Sequence, residues 1–124
     1  MSVCTFKADV SKYIGIPYLS GGAGFDGCDC WGLVRLFYAT EFNVMLPGYT
    51  DFSEGREPFI RTDNPKPYDV GLIARDGEIL SHCVLLAGRR DLLHCLENTG
   101  VVLSRMEPWH HKIKYWYTSS LTQA

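Results

Sequence analysis

The run Asp29-Cys30-Trp31-Gly32-Leu33-Val34 decides how this chain is read. Upstream lies a glycine-rich stretch, Gly21-Gly22-Ala23-Gly24-Phe25-Asp26-Gly27, suited to tight backbone geometry. Downstream, Leu33, Val34, Leu36, Phe37 and Tyr38 are apolar on more than one face, the pattern of a helix buried in the middle of a domain, extending to about Phe42. Cys30 therefore sits where a glycine loop turns into a buried helix. At such a position the first-turn N–H groups have no intrahelical acceptor and the helix dipole favours an anion, so a thiol is biased toward thiolate. The N–H groups of Cys30 and Trp31 are also placed to serve as an oxyanion hole.

Outward from this run the pattern changes twice. Phe6, Val10, Tyr13 and Ile14 recur at helical spacing, so an amphipathic helix is expected over residues 2–14, with Gly15 as its stop. Residues 48–68 are rich in Pro, Gly, Asp and Asn and read as a long irregular connection, with room for one short helical turn. Beyond Pro67 come strand signals at Val70–Ala74, Leu80–Ala87, Leu92–Leu96, Val101–Leu103 and Ile113–Tyr117, with Arg75-Asp76-Gly77-Glu78 as a turn. Helices followed by antiparallel strands make an α+β arrangement, and 124 residues without an internal repeat make one domain, 1–124.

Composition narrows the function classes. An apolar fraction of 46% supports a packed core, and a formal charge of −2 speaks against nucleic acid as a partner. No apolar run is long enough to span a bilayer, so no membrane insertion is expected. The first residues lack the apolar segment of a secretory signal, so synthesis in the cytoplasm without a signal peptide is expected. The five cysteines are odd in number and read as reduced thiols.

A nucleophilic thiol needs a base, and two strand histidines are available. If Gly88 to Arg90 form a three-residue hairpin loop, Ala87 faces Asp91, His82 faces Leu96 and His94 faces Val84. Both histidines then point to one face, one diagonal step of about 7–8 Å apart. A two-residue loop would separate them onto opposite faces. In the first register His94 orients the far nitrogen of His82 while His82 addresses the thiol. Against this stands a zinc module, since Cys28-Asp29-Cys30, His82-Cys83 and His94-Cys95 supply enough ligands for a tetrahedral site. Adjacent strand residues point to opposite faces, however, so His82 and Cys83 do not naturally share one ion. His110-His111 and Arg89-Arg90 read as surface loop and hairpin tip, and Tyr115-Trp116-Tyr117 as a terminal strand on the core.

These residues resemble the NlpC/P60 peptidases. Gly15-Ile16-Pro17-Tyr18-Leu19-Ser20-Gly21-Gly22 and Asp29-Cys30-Trp31-Gly32-Leu33-Val34 resemble that family's G-x-P-Y-x-x-G-G and D-C-S-G-L-V elements. Leu46-Pro47, Pro67-Tyr68-Asp69-Val70, Ser81-His82-Cys83-Val84 and Leu93-His94-Cys95 resemble its later elements, in order from about residue 9 to 117. The resemblance implies a papain-like fold, with a nucleophile at a helix N-terminus packed on an antiparallel sheet, and a triad of Cys30, His82 and His94. It implies Tyr18 near the oxyanion, Asp29 and Ser81 against the free amine of a stem peptide, and Trp31 beside the cleft. It implies no cofactor or metal, and peptidoglycan stem peptides as substrate, often cut after the γ-linked D-glutamate. Trp31 stands where many members have Ser, and Tyr68 replaces the Gly of P-G-D. The Asp-Cys-Trp-Gly variant resembles the branch associated with phage and prophage tails. The expectation is thus a component of the virion tail tip acting on the bacterial cell wall with tail-tip proteins as partners. A structural tail-assembly module of the same fold is the alternative.

Overall fold

In the computed structural model the described residues are 9–46, 59–75 and 79–119, with 74, 75 and 79–81 described by backbone alone. The first element is a 3-10 turn, Val10–Tyr13, capped by the Asp9 carboxylate on the Ser11 N–H. A two-stranded hairpin follows, β1 (Ala23–Gly24) and β2 (Gly27–Cys28). Then come the helix α1 (Cys30–Phe42) and six strands, β3 (Phe59–Thr62), β4 (Val70–Arg75), β5 (Ile79–Leu86), β6 (Asp91–Leu96), β7 (Gly100–Arg105) and β8 (Ile113–Ser119). The six strands form one sheet in the order β3-β8-β4-β5-β6-β7, each pair antiparallel. One helix packed on an antiparallel sheet is the α+β, papain-like arrangement expected from the sequence.

The departures are local. Where a helix over 2–14 was expected, the described part is only the 3-10 turn. Its anchor is Tyr13, fully buried, stacked on Phe25 at 5.5 Å and hydrogen-bonded to Glu41 at 2.6 Å. Inside the expected irregular stretch 48–68 lies β3, a four-residue edge strand paired to β8. Its residues alternate too briefly to announce a strand, and its partner lies more than fifty residues away in sequence. Residues 2–8, 47–58 and the turn residues 76–78 fall outside the described residues.

Strand parity divides the apolar residues between the two faces of the sheet. Val70, Leu72, Cys83, Leu85, Leu93 and Cys95 pack with Leu33, Val34 and Phe37 of α1 in the main core. Ile73, Val84, Leu86 and Leu92 pack on the other face with Met106, Trp109, Ile113 and Trp116. His82 and His94 share the parity of Val84 and Leu92, so they belong to this second face.

Four backbone hydrogen bonds fix the approach to the helix. The segment carrying Pro17 and Tyr18 is held on one side by β7, through Gly15 N–H to Val101 O at 2.9 Å and Val101 N–H to Ile16 O at 2.9 Å. On the other side Cys28 N–H donates to Pro17 O at 3.1 Å and Leu19 N–H donates to Cys28 O at 3.0 Å. Gly100 at the start of β7 has φ +94°, and a Cβ there would lie 2.5 Å from Ile16 O, so glycine is required on both counts.

Candidate active site

The helix begins where it does because Asp29 caps it. Its Oδ1 accepts the Gly32 N–H at 2.7 Å, and its Oδ2 accepts the Gly21 N–H at 2.8 Å. One carboxylate thus satisfies a first-turn donor of α1 and pins the glycine loop to it. Asp29, a residue the resemblance assigns to substrate contact, therefore also builds the site. Asp29→Ala is expected to lower stability by about 1–2 kcal/mol, the range for losing such a cap. Urea denaturation measures it, and an unchanged midpoint would show that the cap contributes nothing.

Cys30 is the first residue of α1 and is partly exposed. Its sulfur lies beside the Cys83 thiol, the Cys83 backbone N–H and the His82 imidazole, near enough for each to act on its charge. The Cys83 thiol, the His82 imidazole and that N–H together outweigh burial and bring the Cys30 pKa down to about 4 from 9.0. The positive end of α1 acts in the same direction. The other described thiols move the opposite way. Burial pushes Cys28 up to about 12, and the hydrogen bond to Cys30 together with burial raises Cys83 well above its ordinary value. Burial also raises Cys95, whose thiol donates to Cys28 O at 3.1 Å.

The hairpin between β5 and β6 has the three-residue loop. Ala87 N–H donates to Asp91 O at 2.8 Å, and the register continues Leu86↔Leu92 and Leu85↔Leu93. The ladder then stops. Past Leu85 and Leu93 the two strands no longer pair, and the thiol from the helix side meets His82 from the other face at this opening. His82 Nε2 lies 3.1 Å from His94 Nδ1, with ring centroids 5.3 Å apart. Since Nε2 faces His94, Nδ1 is the nitrogen of His82 left for the sulfur. His94 is fully buried, and burial first, then the neighbouring His82, lowers its pKa to about 4. It is therefore neutral at physiological pH.

Other groups frame these three. His94 Nε2 lies 2.9 Å from Ser104 Oγ, and Trp109 meets the His94 ring edge-on at 4.8 Å. Tyr18 stands at the helix entrance, bridged to Cys28. Burial and the negative charges of Glu97, Asp29 and Cys30 raise its pKa. Trp31 is half-buried with its ring 6.5 Å from Phe59 of the edge strand β3. The Ser81 side chain lies outside the described residues. The zinc arrangement is not built: among the described residues no group of three or more His, Cys, Asp or Glu side chains is placed to hold a metal ion. Ser104, Trp109 and the Cys83 contact were not among the sequence candidates. Ser104 was findable in principle, since in the pairing Leu92↔Ser104 it shares the parity of His94.

A thiol at a helix N-terminus, an imidazole at the sulfur and a neutral histidine behind it define the thiol–imidazole class of papain-like folds. The model of the NlpC/P60 family matches residues 15–120, and the chain belongs to that family. The chain is 27% identical over 101 residues to the murein DD-endopeptidase MepS/murein LD-carboxypeptidase of Escherichia coli K12, covering 82% of this chain and 53% of that protein. It is 27% identical over 108 residues to the gamma-DL-glutamyl hydrolase of Bacillus subtilis strain 168, covering 86% of this chain and 26% of that one. It thus spans about half the length, or less, of these two relatives. The crystal structure of the NlpC/P60 domain of the peptidoglycan hydrolase SagA superposes with a TM-score of 0.69 at 23% identity, over 86% of this chain and 90% of that one.

Proposed function

We propose that this protein is a cysteine endopeptidase of peptidoglycan stem peptides, with Cys30 as nucleophile, His82 as general base and acid, and His94 as the orienter of His82. The observation that carries the reading is the continuous contact from the Cys30 sulfur through His82 to His94. The thiolate attacks the scissile carbonyl carbon, and the carbonyl π electrons move onto oxygen. The Cys30 N–H, in the first turn of α1, and the Tyr18 hydroxyl are the donors we assign to that oxyanion. Collapse of the adduct breaks the C–N bond, and the His82 Nδ1 proton passes to the departing amine. Water then enters. His82 takes its proton, the hydroxide adds to the thioester carbonyl, and the acid leaves as the thiolate returns.

The substrate class rests on the relatives, whose names concern murein and γ-glutamyl bonds. We assign the γ-D-glutamyl–diamino acid bond as the one cut, with Asp29, Trp31 and Ser81 lining the cleft. The Asp29-Cys30-Trp31-Gly32 variant supports a setting in a phage tail tip, with tail-tip proteins as partners and the bacterial wall as target. Digestion of purified peptidoglycan with mass analysis tests the activity. The expected products are stem peptides ending in D-glutamate, with a new amine on the diamino acid. Products cut at a D,D bond would refute the bond assignment, and no products at all from folded protein would refute the peptidase. Detection of the chain in purified virions, by antibody on tail fractions, tests the setting.

A further inference from the structure

His94 differs from a carboxylate orienter in one physical respect. A carboxylate only accepts, so it dictates which nitrogen of the base carries the proton. A neutral imidazole has two tautomers and presents to His82 either a lone pair or an N–H. Only the lone pair is productive. When His82 carries the thiol proton, both of its nitrogens are N–H, and its Nε2–H needs an acceptor at His94 Nδ1, 3.1 Å away. His94 must then carry its own proton on Nε2. That N–H lies in a fully buried ring under the edge of Trp109, where a donor without an acceptor is costly.

We propose that Ser104 is the positioning residue that holds His94 in this tautomer: its Oγ, 2.9 Å from His94 Nε2, accepts the Nε2–H and leaves Nδ1 bare for His82. Register makes the contact systematic. His94 pairs with Val102 and Leu92 with Ser104, so Ser104 is the diagonal neighbour of His94 on the same face. Among the described residues no carboxylate bonds to His94, so the hydroxyl is the acceptor the ring has. The groups that act on the thiol are Cys83 and His82, and the Cys30 charge is felt in turn at Tyr18, Cys28, Cys83 and Cys95. The sequence of contacts is thus Cys30, His82, His94, Ser104, drawn from four elements, α1, β5, β6 and β7. Without Ser104 the buried Nε2–H of His94 has no acceptor, so the tautomer that leaves Nδ1 bare becomes costlier and His82 takes the thiol proton less readily.

The inference rests on reading Cys30 and His82 as the reacting pair, and its test separates the two. In ¹⁵N-histidine-labelled wild-type protein near pH 7, His94 is expected to show a protonated Nε2 and a bare Nδ1. The reverse pattern would overturn the proposal, whatever happens to any variant. Second, the rate of Cys30 alkylation by iodoacetamide is followed against pH. Ser104→Ala is expected to raise the midpoint by about one pH unit, a tenfold change in the thiol ionisation constant. Ser104→Thr, which keeps the hydroxyl on a strand position that favours β-branched residues, is expected to restore it. A residue that only packs would lower the unfolding temperature and leave this midpoint in place. A wild-type midpoint near 4 that Ser104→Ala does not move overturns the inference alone. A wild-type midpoint near the ordinary 9.0 overturns the peptidase reading and the inference with it.

Discussion

Cys30 is expected to alkylate with iodoacetamide at a rate that stays nearly flat from pH 8 to pH 5 and halves near pH 4. The Cys83 thiol, the His82 imidazole and the Cys83 N–H hold its pKa at about 4, against 9.0 for an ordinary thiol. Cys28, Cys83 and Cys95 are buried and shifted upward, so they stay protonated and slow across the same range. The Cys30→Ala protein supplies the baseline to subtract. The same substitution is expected to cut peptidoglycan hydrolysis on the order of 10⁴-fold or more, as loss of a nucleophile does when the base cannot act without it. His82→Ala is expected to move the alkylation midpoint upward, because the imidazole leaves the sulfur.

The linkage to stability has a definite sign. A group whose folded pKa is depressed contributes stability that is complete above its unfolded pKa and is lost as pH falls through its folded pKa. For Cys30 the window runs from 9.0 down to about 4. Wild-type protein should therefore lose its advantage over Cys30→Ala as pH falls across that window, read as the difference in urea midpoints. A wild-type alkylation midpoint at 8 or above would sink this account.

Gly32→Ala is expected to destabilise the protein by about 3 kcal/mol, the upper end of overpacking costs in a close-packed interior. Helix propensity alone predicts the opposite, since Ala is better than Gly inside a helix by about 1 kcal/mol. Tertiary contact decides the sign here. A Cβ on Gly32 would run into the carbonyl of Gly22 and come within 2.9 Å of Asp29 Oδ1. Neither obstacle gives way easily. Gly22 O accepts the Asp29 N–H at 3.2 Å, and Asp29 Oδ1 accepts the Gly32 N–H at 2.7 Å. Moving either loosens the loop from the helix start that carries Cys30. Urea denaturation reads the effect, and slower Cys30 alkylation should accompany it. A Gly32→Ala protein as stable as wild type, or more so, would show that the loop does not press on the helix.

Much of the site was legible because its determinants are short-range. The start of α1 follows from a glycine-rich loop giving way to a run of apolar residues, and the placement of Cys30 follows from the start of α1. The common face of His82 and His94 follows from strand parity and a three-residue loop, both local. The resemblance in the Gly15–Gly22 and Asp29–Val34 runs added the family, which the match over residues 15–120 establishes. Less legible were β3, whose four residues gain their strand from β8, and Val10–Tyr13, the described part of the expected helix, which is a 3-10 turn.

By itself, then, the sequence determined where a reactive thiol would stand and that two histidines would share a face of one sheet. Parity alone leaves Cys30 and those histidines on opposite faces, since α1 packs with Cys83 and Cys95 while His82 and His94 lie with Trp109. Only the tertiary structure brings them into contact, by ending the β5–β6 ladder at Leu85↔Leu93. Where a ladder ends depends on the competing packing of a whole helix and sheet, contacts far apart in sequence. The same holds for the Cys83 thiol against Cys30 and for Ser104 behind His94, which join elements that no local pattern connects.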